Sequence, residues 1–244
     1  MTRNALVRCF DENAIFQNVS KLALKTDCLS LIRDTKKTLG WHMQQFVKLG
    51  VSRYLNDLSE KYIIFDADNL ITYPFDMMDE KWKIILPYKA IAARMGYDIF
   101  YEKTLQRKAP KENYVVGHMV MEKSVVREML DEIDKAWGSV FPKSVCDVAR
   151  MHDFSNVDTH FSEYFFYAAY LKEKYPSKIA KEYYWAPGRN PPVYQALAWK
   201  GDCCVKPETV CQSYESVHDF YVIIEEHKFR YRDQVCTDDW KLDG

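Results

Sequence analysis

Residues 62–68 read Tyr-Ile-Ile-Phe-Asp-Ala-Asp, an apolar run closed by two carboxylates one residue apart. Four bulky apolar residues without alternation suit a strand covered on both faces, as in the parallel or mixed sheet of an α/β domain. Ligands of such sheets gather at the carboxyl ends of the strands. A strand that delivers Asp66 and Asp68 to that edge sets out hard oxygen ligands where a divalent cation and a phosphorylated substrate would sit. The competing account of the same residues is that they cap a turn or the following helix.

The remaining elements follow from periodicity. From Leu39 to Leu58, apolar residues at Met43, Phe46, Val47, Val51, Tyr54, Leu55 and Leu58 recur at three- and four-residue steps and predict a helix with one face in the core. Gln44 and Lys48 share a face of it, with Gln45 beside them. Strands are expected at residues 5–10, 82–86 (closed by Pro87), 98–101, 114–121 and 220–224, and a helix within 18–31. Gly117 interrupts the strand at 114–121, as at a bulge or a close ligand approach. Ser124 is placed to cap a helix with a stripe of Val126, Met129, Leu130, Ile133 and Trp137. The helix expected over 158–175 carries Phe161, Tyr164, Phe165, Phe166, Tyr167, Tyr170 and Leu171 and leaves hardly any polar face, so it must be enclosed. Residues 185–192 are dense in turn formers. Strands interleaved with helices indicate a mixed α/β sheet, and 244 residues suit a single domain spanning 1–244.

Charge and composition exclude several classes. Basic residues number 34 and acidic ones 35, so the whole chain has no electrostatic footprint for nucleic acid, and none is expected as a partner. No run approaches the roughly 20 apolar residues of a membrane span and the N-terminus lacks an apolar leader core, so a soluble protein with at most peripheral membrane contact is expected. The seven cysteines (Cys9, Cys28, Cys146, Cys203, Cys204, Cys211, Cys236) are odd in number and lack C-x-x-C spacing, which suggests reduced thiols and a cytoplasmic location. Cys203, Cys204, Cys211 and His218 match no common zinc spacing.

Four segments in order, GWHMQQFVKL (40–49), YIIFDADNLI (62–71), NYVVGHMVME (113–122) and HFSEYFFYAAY (160–170), resemble the small D-x-D glycosyltransferases of bacteria and large viruses that build surface glycans. The similarity covers roughly residues 8–175. More distantly the pattern is similar to the nucleotide-diphospho-sugar transferase fold called GT-A. The resemblance implies a GT-A-like mixed sheet flanked by helices; because few residues precede the D-x-D strand, the N-terminal nucleotide-binding half is expected to be abbreviated, or the chain begins within it. It implies sugar transfer from a nucleotide-sugar donor to a glycan or other hydroxyl acceptor, with Mn²⁺ or Mg²⁺ at the D-x-D. Asp68 would bind the metal directly, and Asp66 would face the ribose or reach the metal through water.

A nucleoside diphosphate gathers negative charge as it leaves, and a cation bridging its phosphates stabilises that charge. Lys48 would neutralise donor phosphate, and Gln44 and Gln45 would hydrogen-bond nucleotide or sugar; a solvated helix face is the alternative. His118 would line the sugar cleft, or be a satisfied core histidine. Glu163, among aromatics on an enclosed helix, is costly to bury unless paired, protonated or aimed into a polar cleft. By the resemblance it is the catalytic residue on the acceptor or reacting-sugar side, accepting a proton from, or binding, a sugar hydroxyl; a structural hydrogen bond to a neighbouring tyrosine or backbone group is the alternative. Arg189 is a lid candidate or a plain surface arginine, and His218 and His227 are candidates for a late metal ligand. Two rival functions use the same strand. A haloacid dehalogenase-type phosphatase would take Asp66 as nucleophile, against which Asn69-Leu70 follow the second Asp. A carbohydrate-binding module would bind glycans without catalysis.

Overall fold

The computed structural model describes Cys28 and residues 39–66, 69–71, 75–89, 96–152, 154, 161–184, 193–195 and 221–222. In chain order these form α1 (Leu39–Tyr54), β1 (Lys61–Phe65), β2 (Asn69–Ile71), β3 (Ile84–Tyr88), α2 (Tyr97–Leu105), β4 (His118–Glu122), α3 (Lys123–Trp137), α4 (Lys143–Met151) and α5 (Glu163–Lys174). A short 3₁₀ turn (Pro176–Lys178), β5 (Ile179–Tyr184), β6 (Val193–Gln195) and β7 (Tyr221–Val222) follow. The protein is mixed α/β. Its described strands form three sheets: β1 antiparallel to β4, β3 parallel to β5, and β2 between β6 and β7, antiparallel to both. The expected elements at 5–10, at 185–192 and within most of 18–31 lie outside the described residues.

Helix α1 is packed on more than its apolar stripe. Met43, Phe46 and Leu49 enter the core, but so do His42, Gln45, Lys48 and Ser52. The polar face of this helix is therefore enclosed rather than solvated. Arg127 donates through Nε to the Ser52 carbonyl at 2.6 Å, satisfying an acceptor near the helix end, and Arg53 pairs with Asp131 and Asp134 of α3.

Helix α5 fills the centre. Every residue from Phe161 to Leu171 is buried, as its aromatic composition demands, and Phe161 packs on Phe166, Phe46, Phe100 and Phe141. The tyrosine hydroxyls resolve the polar problem this burial creates. Tyr167 accepts from the Glu122 backbone N–H at 2.9 Å, and Tyr170 donates to Glu128 and Glu132 at 2.8 and 2.7 Å.

Several local expectations are overturned. Residues 98–101 are helical, within α2: Gly96 at φ 88 opens the turn, and Tyr97, Phe100, Tyr101 and Thr104 bury one face at helical spacing. The strand expected at 82–86 lies two residues later and runs through Pro87, which the parallel pairing with β5 accommodates; Trp82 instead stands 67% exposed in a turn, at φ 60. Ser124 lies inside α3, with Glu122 as the residue before it. Helix α4, not foreseen, buries Val145, Cys146, Val148 and Ala149. Strand β1 is not covered on both faces, since Ile63 is 53% exposed; antiparallel pairs such as β1 and β4 tolerate one wet face.

The thiol expectation also needs correcting: Cys28 and Cys146, 118 residues apart and both buried, form a disulfide. Pairing of this kind depends on Cα and Cβ proximity, which no sequence spacing encodes. One of the supports for a cytoplasmic location is thereby removed. No helix among the described residues is long and apolar enough to cross a membrane.

Candidate functional site

Strand β1 ends where its carboxylate begins. Its ladder with β4 closes at Phe65 opposite His118, and the next backbone N–H, that of Asp66, donates to the Gly117 carbonyl at 2.8 Å. Gly117 adopts φ 86, a conformation that L side chains rarely take, and so turns the chain into β4 at this point. Asp66 is thus pinned at the carboxyl edge of β1, with its side chain 19% exposed.

Lys48 of α1 bridges to it. Its ammonium pairs with Asp66 Oδ1 and, at 2.7 Å, with Oε1 of Glu163, the first residue of α5. Gln45, one turn back on the same face of α1, completes the arrangement: with its amide nitrogen turned to the carboxylate, it donates to Glu163 Oε1 at 3.0 Å and also to Oε2. Gln45 thus reaches this acid, and Gln44 beside it is half-buried. Tyr164, the neighbour of Glu163, donates its hydroxyl to Asp66 Oδ1 at 3.0 Å and lays its ring 4.7 Å from the Lys48 ammonium. From the sequence, Tyr164 belongs to the aromatic stripe of this helix and carries no assigned role. Its adjacency to Glu163 was the available signal.

The electrostatics follow from enclosure. Burial drives the Glu163 carboxyl above its usual range and the Asp66 charge adds to this, while Lys48 opposes both. For Lys48, burial works against the ammonium, but Glu163 and Asp66 outweigh it and its pKa is raised. Ser162 caps α5 through its side chain, which accepts from the Phe165 N–H, so Glu163 sits in the first turn, where the helix dipole favours an anion.

His118 faces an aromatic surround. Its Nε2 lies 3.0 Å from the Tyr183 hydroxyl, and the rings of Phe65 and Phe75 approach within 6.0 and 5.6 Å. Burial, with a smaller contribution from the Lys89 charge, pulls its pKa down to about 4, so the imidazole is neutral at physiological pH.

The structure therefore brings Gln45, Lys48, Asp66 and Glu163 into one cluster and sets His118 beside the end of β1. Asp68, Arg189, His218 and His227 lie outside the described residues. Among the described residues, no group of three or more His, Cys, Asp or Glu side chains is arranged to hold a metal ion.

Fold and site together define a mixed α/β protein with a lysine and two acids gathered at the carboxyl end of a strand. The chain belongs to a family of unknown function (DUF6492), whose match extends over residues 6–223. Neither a curated protein nor a solved structure matches the chain.

Proposed function

We propose that this protein is a metal-dependent glycosyltransferase of GT-A-like fold, moving a sugar from a nucleotide-diphosphate sugar to a glycan or other hydroxyl acceptor. The observation that carries the reading is the convergence of Gln45, Lys48, Asp66 and Glu163, from three segments far apart in sequence, at the carboxyl end of β1.

The ion this reading calls for is Mn²⁺ or Mg²⁺, because both prefer hard carboxylate oxygens and the sequence sets Asp66 and Asp68 two residues apart. Bound there by Asp66 and Asp68, the ion would supply positive charge to the departing diphosphate. The protein's own groups do the rest. Tyr164 and Lys48 both engage Asp66 Oδ1 and so fix the orientation of its carboxylate. Lys48 adds a fixed ammonium at the same edge, placed to meet phosphate charge as it grows in the transition state. His118, neutral and enclosed by aromatic rings, brings no charge to this edge.

The test is a thermal-shift screen with UDP-, GDP- and dTDP-sugars, with and without Mn²⁺, since a ligand that binds only the native state raises apparent stability. A metal-dependent shift with one of these donors is expected. Its absence with all of them refutes the proposal. A shift with glycans alone would indicate a binding module, and phosphate release from a simple phosphomonoester, lost in Asp66→Asn, would indicate the phosphatase.

A further inference from the structure

Glu163 has the geometry of a foundation. Its side chain is 0% exposed, and its two oxygens are occupied by Lys48 and Gln45. It belongs to a helix whose first nine residues, Glu163 to Leu171, are all buried, so turning the carboxylate toward solvent would require unpacking α5. Asp66 is the partly open member of the cluster, its side chain 19% exposed, and the Lys48 side chain, 10% exposed, lies just beneath it. An ammonium carries three donors. Lys48 commits one to Asp66 and one to Glu163 and has the Tyr164 ring 4.7 Å from its ammonium, so an incoming anion would compete with Asp66 for it.

We infer that Glu163 acts through Lys48. Together with Gln45 it forms a rigid seat for the Lys48 ammonium, and that ammonium, not the Glu163 carboxylate, meets the phosphates of the substrate. Glu163 is on this account a positioning residue. The inference rests on the glycosyltransferase reading and deepens it, because it assigns the anion-recognising charge to the nucleotide side of the site and withdraws Glu163 from the acceptor side. The physical advantage is pre-organisation: a lysine side chain has about four rotatable bonds, and a cation already held costs no reordering when phosphate arrives. Asp66 would then share Lys48 with the phosphates, while Glu163 retains its own bond.

The experiment compares wild type, Glu163→Gln, Lys48→Met and the double variant in Mn²⁺ by calorimetric titration. The probes are UDP, GDP and dTDP, each against its matching uncharged nucleoside. Wild type is expected to favour one diphosphate over its nucleoside. Glu163→Gln should reduce that preference on the order of tenfold, the scale of a charge-assisted hydrogen bond, with nucleoside affinity unchanged. The double variant should be no worse than Lys48→Met alone. Lys48→Arg, which keeps the charge but not the fit between two carboxylates, should also lose the preference, and it serves if Lys48→Met does not fold. A Glu163→Gln protein with undiminished diphosphate preference overturns the inference, as do losses that multiply in the double variant, or equal weakening of nucleoside and diphosphate. If wild type binds no diphosphate at all, the glycosyltransferase reading itself has failed, and this inference with it.

Discussion

Replacing Lys48 by methionine removes the cation that compensates Asp66 and Glu163 while nearly conserving length. Breaking a buried pair by deleting one partner costs about 3–5 kcal/mol, because the remaining charge is left uncompensated. For this protein the cost falls on Glu163, which is fully enclosed, more than on Asp66, which retains Tyr164 and some solvent. Loss of Lys48 also removes the influence that lowers the Glu163 pKa, so that pKa rises further. The sign of the pH dependence follows. A carboxyl whose folded pKa lies above its unfolded value binds more protons in the folded state between the two, so stability falls as pH rises through that window. Lys48→Met should therefore be least impaired near pH 4.5, the ordinary glutamate value, and lose stability steadily above it. Lys48→Met/Glu163→Gln, with no buried charge left beneath Asp66, should recover most of the loss and show a flatter profile. Urea unfolding from pH 4.5 to 8 measures both through the midpoint at constant slope. If Lys48→Met costs less than about 1 kcal/mol at pH 7.5, the value of an exposed pair, Lys48 does not compensate a buried Glu163.

Three further outcomes are expected. Non-reduced protein should give an intact mass two hydrogens below the fully thiol form, and Cys146→Ser should lower stability by at most about 5 kcal/mol, the chain-entropy limit for a closed loop of this separation; full alkylation of Cys28 and Cys146 in unreduced, denatured protein would refute the bridge. The ring of His118 should stay neutral down to about pH 4 when followed by NMR. Because its folded pKa is below the ordinary 6.5, stability should fall as pH drops from 6.5 toward 4, by up to about 3 kcal/mol; titration near 6.5 would refute its enclosure. Tyr167→Phe should cost about 1–3 kcal/mol in chemical denaturation by orphaning the buried Glu122 N–H, and a neutral substitution would mean that another group takes its place.

Much of the architecture was legible locally. The stripe of Val126, Met129, Leu130 and Ile133 specified α3, the aromatic density of residues 161–171 required an enclosed helix, and the run Tyr62–Phe65 marked a strand ending at a carboxylate. Short elements were harder. Asp98–Tyr101 satisfied both a strand run and a helical stripe, and Gly96 decided between them by the backbone it permits. Pro87 suggested a strand end, yet it sits within a parallel ladder whose partner is distant in the chain.

For the site, the sequence alone selected the residue types: acids at the strand end, a lysine and a glutamine one helical turn apart, and an acid among aromatics. Local spacing suffices for that, because helical and strand periods determine which neighbours share a face. What Lys48 does was decided only by the tertiary structure. An ammonium on an amphipathic helix faces solvent by default, and only the docking of α5 against α1, with β1 ending between them, encloses it between Asp66 and Glu163. The same holds for Tyr164 and for Cys28 with Cys146. Each is defined by a partner about a hundred residues away, and chain order carries no information about such distances until the core closes.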